Sequence, residues 1–166
     1  MNLGVLERNI VVGVSDLAVS NDMGANLVTY SLGSCLGITV HDAEKHVGGL
    51  LHVMLPSSGI DKSRAQRTPT MFVDSGIPML FRAAYELGAD KKRMIVKVFG
   101  GAQVMDEAGI FNIGQRNYEA LVSIFNRNRV TIRCKYVGGQ ICRTIRLSLS
   151  SGSVVVKSPG EEDLVV

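Results

Sequence analysis

The chain has no tryptophan, and only 5% of its 166 residues are aromatic. That is too little flat side-chain surface for the stacking platforms that hold single-stranded nucleic acid, so no nucleic-acid partner is expected. Charge of one sign is also scarce. The net charge is +3, and the basic residues are scattered as Arg64/Arg67, Lys91-Lys92-Arg93 and Arg127/Arg129/Arg133, with no run that reads as a polyphosphate grip. A mild preference for acidic partners is all that follows. No stretch reaches the roughly 20 apolar residues that span a bilayer, and residues 1–8 lack the basic start and apolar core of a signal peptide. The amphipathic stripes are moderate and their polar faces are not strongly basic, so direct membrane insertion or surface binding is not expected. Three cysteines (Cys35, Cys134, Cys142) make an odd number without a disulfide framework, which suits a reduced, cytoplasmic protein. Cys134 and Cys142 stand eight apart, without Cys-x-x-Cys or His-x-x-x-His spacing, so no metal is expected. Neither Gly-x-x-x-x-Gly-Lys-Ser/Thr nor Gly-x-Gly-x-x-Gly occurs, and no cofactor is expected either.

What is present is an ordinary globular composition, 46% hydrophobic and 20% charged, with 18 glycines that imply many turns or close backbone approaches. The length suits one domain over residues 1–166, with a core at about 9–157 and a polar tail, 158–166, expected to fray. Strands are expected at residues 9–14, 27–30, 36–41, 47–55, 94–99, 131–137, 144–149 and 153–157. The third and fourth are close enough to form an antiparallel pair. Residues 57–69 read as an exposed polar loop. Val73, Ile77, Leu80, Phe81, Ala84 and Leu87 recur at helical spacing, which predicts a helix within 71–87. Starting it near Ser75 places Pro78 in the first turn. Asn112 is expected to cap a second helix reaching about residue 126, with Tyr118, Leu121, Val122 and Phe125 on one face. Gly100-Gly101 and Gly138-Gly139 read as tight turns. Many strands with two helices, not regularly alternating, make the fold class α+β.

The chemistry concentrates in Leu32-Gly33-Ser34-Cys35-Leu36-Gly37 and in Gly48-Gly49-Leu50-Leu51-His52-Val53-Met54. A strand, a turn and a return strand bring Cys35 and His52 to similar levels, as a nucleophile and its base require. The simpler alternative is a buried structural thiol, since cysteine is among the most buried residue types. Gly33 and Gly37 favour the catalytic reading, because they clear both sides of the sulfur for a substrate carbonyl. Main-chain N–H groups around Gly33-Ser34-Cys35 are candidate oxyanion donors. Ser34 as nucleophile would need a stronger base than one imidazole. Alternation puts Leu50, His52 and Met54 on one strand face, where a histidine needs a hydrogen-bond partner. His41 and His46 flank a turn and are expected to be exposed, without a catalytic role.

Several segments together resemble the chemoreceptor glutamine deamidase family of bacterial chemotaxis, CheD. They are Thr29-Tyr30-Ser31-Leu32-Gly33-Ser34-Cys35, residues 48–56 around His52, Val98-Phe99-Gly100-Gly101-Ala102, Asn112-Ile113-Gly114-Gln115-Arg116-Asn117 and Gly138-Gly139. They run in the family's order from about residue 9 to 157. The sequence departs from the pattern at Cys142, where glycine is expected before Arg143. The resemblance implies Cys35 as catalytic nucleophile, His52 as catalytic histidine and Thr29 as the third member behind it; Ser34 and Gly33, beside the nucleophile, are the candidates for positioning the substrate and its oxyanion. It also implies a layered α/β/β fold with a cysteine-hydrolase-like active site. The implied activity is a protein-glutamine glutaminase: glutamines on the cytoplasmic helical domain of a chemoreceptor become glutamate with release of ammonia through a Cys–His thioester. Hydrolysis of glutamyl methyl esters is implied as a side activity, and a chemotaxis phosphatase, CheC, as a further partner. The alternative is a non-catalytic binding module that regulates such a phosphatase. A hydrolase of small amides is a third reading, which the loop at 57–69 disfavours.

Overall fold

The computed structural model describes residues 7–104 and 108–166. The expectations for residues 1–6 and for 105–107 therefore lie outside the described residues. The strands are β1 (Arg8–Val11), β2 (Asp16–Ser20), β3 (Ala25–Leu32), β4 (Leu36–Asp42), β5 (Val47–Val53), β6 (Ile95–Gly100), β7 (Ile132–Val137), β8 (Arg143–Ser148), β9 (Val154–Lys157) and β10 (Leu164–Val165). The helices are α1 (Lys62–Arg67), α2 (Val73–Glu86) and α3 (Ile113–Arg127). Two mixed sheets form, in the orders β1-β3-β8-β9-β10 and β2-β5-β4-β6-β7. The fold is thus α+β, and β4 and β5 are the expected antiparallel pair, with Gly37 opposite His52.

Side-chain alternation sorts the second sheet into two faces. Leu36, Ile38 and Val40 of β4 and Leu51 and Val53 of β5 pack with Ile77, Leu80 and Phe81 of α2 and Leu121 and Phe125 of α3. Leu50 of β5 and Phe99 of β6 point the other way, into a second cluster with Leu27 and Leu32 of β3 and Ile145 and Leu147 of β8. The layers run helices, sheet, sheet. Each fully buried leucine in them contributes roughly 1.5–3 kcal/mol of transfer free energy. Because β4 and β5 are covered on both faces, they are buried along their whole length, and their polar residues at odd positions of β4 and at His52 are forced between the sheets.

That covering corrects one expectation directly. His41 is 3% exposed, not solvated, and its Nε2 lies 3.0 Å from the carbonyl oxygen of Leu149, to which it must donate. Helix α2 begins at Val73, so Pro78 sits inside the helix and not in its first turn. The polar segment 57–69 is not a loop throughout: Asp61 accepts a hydrogen bond from the Arg64 N–H at 2.9 Å and starts α1, and the Ser58 main chain and hydroxyl are tied to Asp74. The tail is not frayed, because β10 pairs with β9 and Val166 exchanges both main-chain hydrogen bonds with Val154. Lys97 supports that return by donating from between the sheets to the carbonyls of Gly152 and Val166. Strand β2 was not expected; Asp16-Leu17-Ala18-Val19-Ser20 has little β-branched content, and it forms by pairing along β5.

Candidate active site

Cys35 ends the loop that leaves β3 and enters β4, and that loop is held by main-chain bonds. The Cys35 carbonyl accepts from the Gly101 N–H at 2.8 Å, and the Gly33 carbonyl accepts from the Ala102 N–H at 2.8 Å. So close an approach needs glycine on the facing turn. Gly100 has φ +99°, and a Cβ there would lie 2.2 Å from the Cys35 carbonyl oxygen. The Gly138-Gly139 turn closes on the same region, with the Gly138 N–H donating to Gly100 and Arg143 Nη1 donating to the Gly138 carbonyl at 2.9 Å. All four of these glycines adopt positive φ, as tight turns require. Cys142, at the departure from the family pattern, leaves the Arg143 tie intact and lines the cavity beside Cys35.

Gly37 has a different role from clearing the sulfur. A Cβ on it would lie 2.7 Å from Leu32 Cδ1 and 2.9 Å from Ile145 Cδ1, so it makes room for the opposite sheet. Cys35, two residues earlier, faces the same side of the sheet as Gly37 and packs partly against the inter-sheet cluster. The β4–β5 register places His52 opposite Gly37 and therefore diagonal to Cys35, within reach of long side chains.

Thr29 comes from the other sheet. Its Oγ1 donates to the Val12 carbonyl at 2.7 Å and lies 2.7 Å from His52 Nδ1. A hydroxyl has one hydrogen, and Val12 takes it; Thr29 must therefore accept from His52, which fixes the Nδ1–H tautomer. The lone pair is left on Nε2. That nitrogen is buried and has no hydrogen-bond partner among the described residues, Cys35 Sγ included. His52 is 1% exposed and Thr29 fully buried.

Burial governs the protonation states. It lowers His52 to about 4. It also raises the Cys35 thiol, an effect only partly opposed by the residue's own main-chain N–H. At neutral pH the resting pair is thus a neutral thiol and a neutral imidazole. A cavity of about 690 Å³ opens at Cys35, and its lining includes Gly33, Ser34, Val104, Phe111, Tyr118 and Gly138. Ser34 and Gly33 lie there as expected, whereas His52 and Thr29 lie outside the lining. Among the described residues no group of three or more His, Cys, Asp or Glu side chains converges to hold a metal.

Asn117 belongs to the site although no motif in the sequence assigns it a role. It lies on the buried stripe of α3 with Gly114, Leu121 and Phe125, and its Nδ2 donates to the carbonyls of Ser34 at 3.0 Å and Met54 at 2.9 Å. A polar amide at helical spacing among apolar positions was the available signal.

Fold and site define a mixed α+β protein in which a threonine and a histidine pair across the two sheets, with a cysteine on the loop that enters the neighbouring strand. The chain belongs to the CheD family, whose model, described as CheD chemotactic sensory transduction, matches residues 54–158. It is 49% identical to the probable chemoreceptor glutamine deamidase CheD 1 of Syntrophus aciditrophicus (strain SB), over 92% of this chain and 95% of that one. It is 40% identical to the probable chemoreceptor glutamine deamidase CheD of Solibacter usitatus (strain Ellin6076), over 96% and 94%. It is 43% identical to the probable chemoreceptor glutamine deamidase CheD 2 of Anaeromyxobacter dehalogenans (strain 2CP-C), over 90% and 94%.

Proposed function

We propose that the chain is a chemoreceptor glutamine deamidase that works through a thioester on Cys35. The observation that carries the mechanism is the fixed tautomer of His52, which leaves a lone-pair nitrogen without a partner among the described residues, on the same sheet face as the thiol. The family and the names of its members support the substrate.

As a receptor glutamine enters the cavity, His52 Nε2 takes the Cys35 proton and the sulfur bonds to the amide carbon. The carbonyl electrons move onto oxygen, facing N–H groups of the Gly33-Ser34-Cys35 loop. When the carbonyl re-forms, the C–N bond breaks, and His52 returns its proton to the departing nitrogen as ammonia. Water then attacks the thioester, giving its proton to His52. Collapse of this second intermediate releases glutamate, and the thiolate regains its proton from His52. Thr29 holds the imidazole throughout and accepts from Nδ1–H while the ring carries a positive charge. The same route hydrolyses a glutamyl methyl ester, with methanol leaving in place of ammonia. Starting from two neutral groups suits this scheme, since the charge separates only when an amide carbon is present to receive the sulfur.

The substrate in this reading is the cytoplasmic helical domain of a receptor, which places the protein in the cytoplasm. No described helix is long and apolar enough to cross a membrane. A CheC-like phosphatase is the further partner, supported by the family resemblance. Ammonia release from a receptor cytoplasmic fragment tests the function: wild type is expected to release it and Cys35→Ala is not. Equal release by the two proteins overturns the reading. Binding of a CheC-like phosphatase by Cys35→Ala, without turnover by wild type, would favour the binding-module alternative.

A further inference from the structure

Asn117 is fully buried, and both hydrogens of its amide are used, one on Ser34 and one on Met54. Those partners fix the amide's orientation: turned over, its oxygen would face two carbonyl oxygens that cannot donate. Ser34 is the residue before the nucleophile, and Met54 lies two residues beyond His52. One side chain from α3 therefore joins the loop that carries the thiol to the residue that follows the imidazole's strand.

The consequence for Cys35 follows from peptide geometry. The described chain has no cis peptide bond, so the Ser34 C=O and the Cys35 N–H point in opposite directions from one plane. Holding the carbonyl toward α3 directs the N–H away from it, and that N–H is the main-chain group that pulls the Cys35 thiol down against the effect of burial. A tetrahedral intermediate on that sulfur brings its oxyanion beside the same N–H. Asn117 Oδ1 is buried without a partner among the described residues, an unfavourable arrangement that packing alone does not require.

We propose that Asn117 is a positioning residue for the deamidation: by gripping the Ser34 and Met54 carbonyls it fixes the Ser34–Cys35 peptide plane, so that the Cys35 N–H faces the developing oxyanion. This rests on the thioester reading of the site. Loss of the grip removes an oxyanion donor but leaves the sulfur and its approach in place. Alkylation by iodoacetamide forms no oxyanion, so it separates this role from a general loosening of the site.

The test compares wild type with Asn117→Ala and Asn117→Asp in two assays. One is steady-state deamidation of a receptor fragment; the other is alkylation of Cys35 across pH, followed on its own peptide by mass spectrometry. In Asn117→Ala, kcat is expected to fall about a hundredfold. KM and the limiting alkylation rate at high pH should stay within about twofold, and the apparent thiol pKa should move upward. Asn117→Asp should behave alike, because a carboxylate cannot donate to either carbonyl. An unchanged kcat, or a fall in kcat matched by the limiting alkylation rate, overturns the proposal. Should neither variant fold, hydrogen exchange in the wild type decides: both Asn117 side-chain protons should be strongly protected, and exchange at the solvent rate overturns it. If the wild type releases no ammonia, the deamidase reading falls separately, and the thiol pKa shift still reports whether Asn117 directs the Cys35 N–H.

Discussion

Replacing Thr29 with valine keeps the shape of the side chain and removes one oxygen, so it isolates the hydroxyl that orders the site. Two buried groups lose their partner at once, the Val12 carbonyl and His52 Nδ1–H. Leaving a buried polar group unpaired costs about 1–3 kcal/mol, so with two such groups Thr29→Val should destabilise the protein by about 2–6 kcal/mol. Without the Thr29 acceptor nothing selects the Nδ1–H tautomer, so the proton can move to Nε2, where the base must have a lone pair. Loss of the orienting member of a charged triad costs about 10⁴-fold in kcat. Thr29 is neutral and supplies orientation without a full counter-charge, so a smaller loss, about 10- to 100-fold, is expected. It should be milder than the loss in Cys35→Ala or His52→Ala. Nitrogen-15 NMR of the imidazole reads the tautomer directly: Nδ1 should be the protonated nitrogen in the wild type, and the proton should shift toward Nε2 in Thr29→Val. A variant that keeps the Nδ1–H form and the wild-type kcat would refute the reasoning.

The burial of His52 has a pH signature. Its pKa falls from an ordinary 6.5 to about 4 in the folded protein, so the unfolded chain binds the extra proton first. Stability from this residue is complete above pH 6.5 and is lost as pH falls through 4, on the order of 3 kcal/mol in all. In His52→Phe the part of the acid destabilisation that falls between those values should vanish from denaturant titrations; an unchanged pH dependence counts against the shift. Iodoacetamide should label Cys35 slowly at neutral pH and faster along a thiol titration displaced above the ordinary cysteine value. A rate plateau near neutrality would indicate a resting thiolate–imidazolium pair instead. Gly37→Ala should lower stability by about 1–3 kcal/mol by forcing Leu32 and Ile145 apart, and an unchanged thermal midpoint would contradict the sheet-to-sheet contact described for it. Lys97→Met removes the side-chain donor that ties the Gly152 and Val166 carbonyls together and should speed hydrogen exchange in β10; unaltered exchange would show that β10 is held by β9 alone.

The local signals were sound wherever the chain decides its own structure. The β4–β5 hairpin, α2, α3 and the two Gly-Gly turns follow from alternation, helical spacing and turn chemistry, and all are present. What escaped were features decided by distant partners. The tail folds because β9 offers a free edge and Lys97 offers two hydrogen bonds. His41 is buried because a second sheet covers β4, which its own segment does not announce. For the site, the side of the strand occupied by His52 was legible from Leu50-Leu51-His52-Val53-Met54. The small size of Gly37 matters, but the space beside it holds Leu32 and Ile145 of the opposite sheet, which the local sequence does not announce. The pairing of Thr29 with His52 crosses between sheets, and only the family resemblance pointed to it. The Asn117 bridge joins residues 83 and 63 positions away, beyond any spacing rule.

The central claim is a covalent glutamyl thioester on Cys35, and its most direct test is to trap it. Wild-type protein mixed with a receptor cytoplasmic fragment and quenched in acid within the first turnover should yield an adduct of the two chains, joined at Cys35 and released by hydroxylamine. Cys35→Ala should give neither adduct nor ammonia. Ammonia released at the wild-type rate by Cys35→Ala would contradict the account.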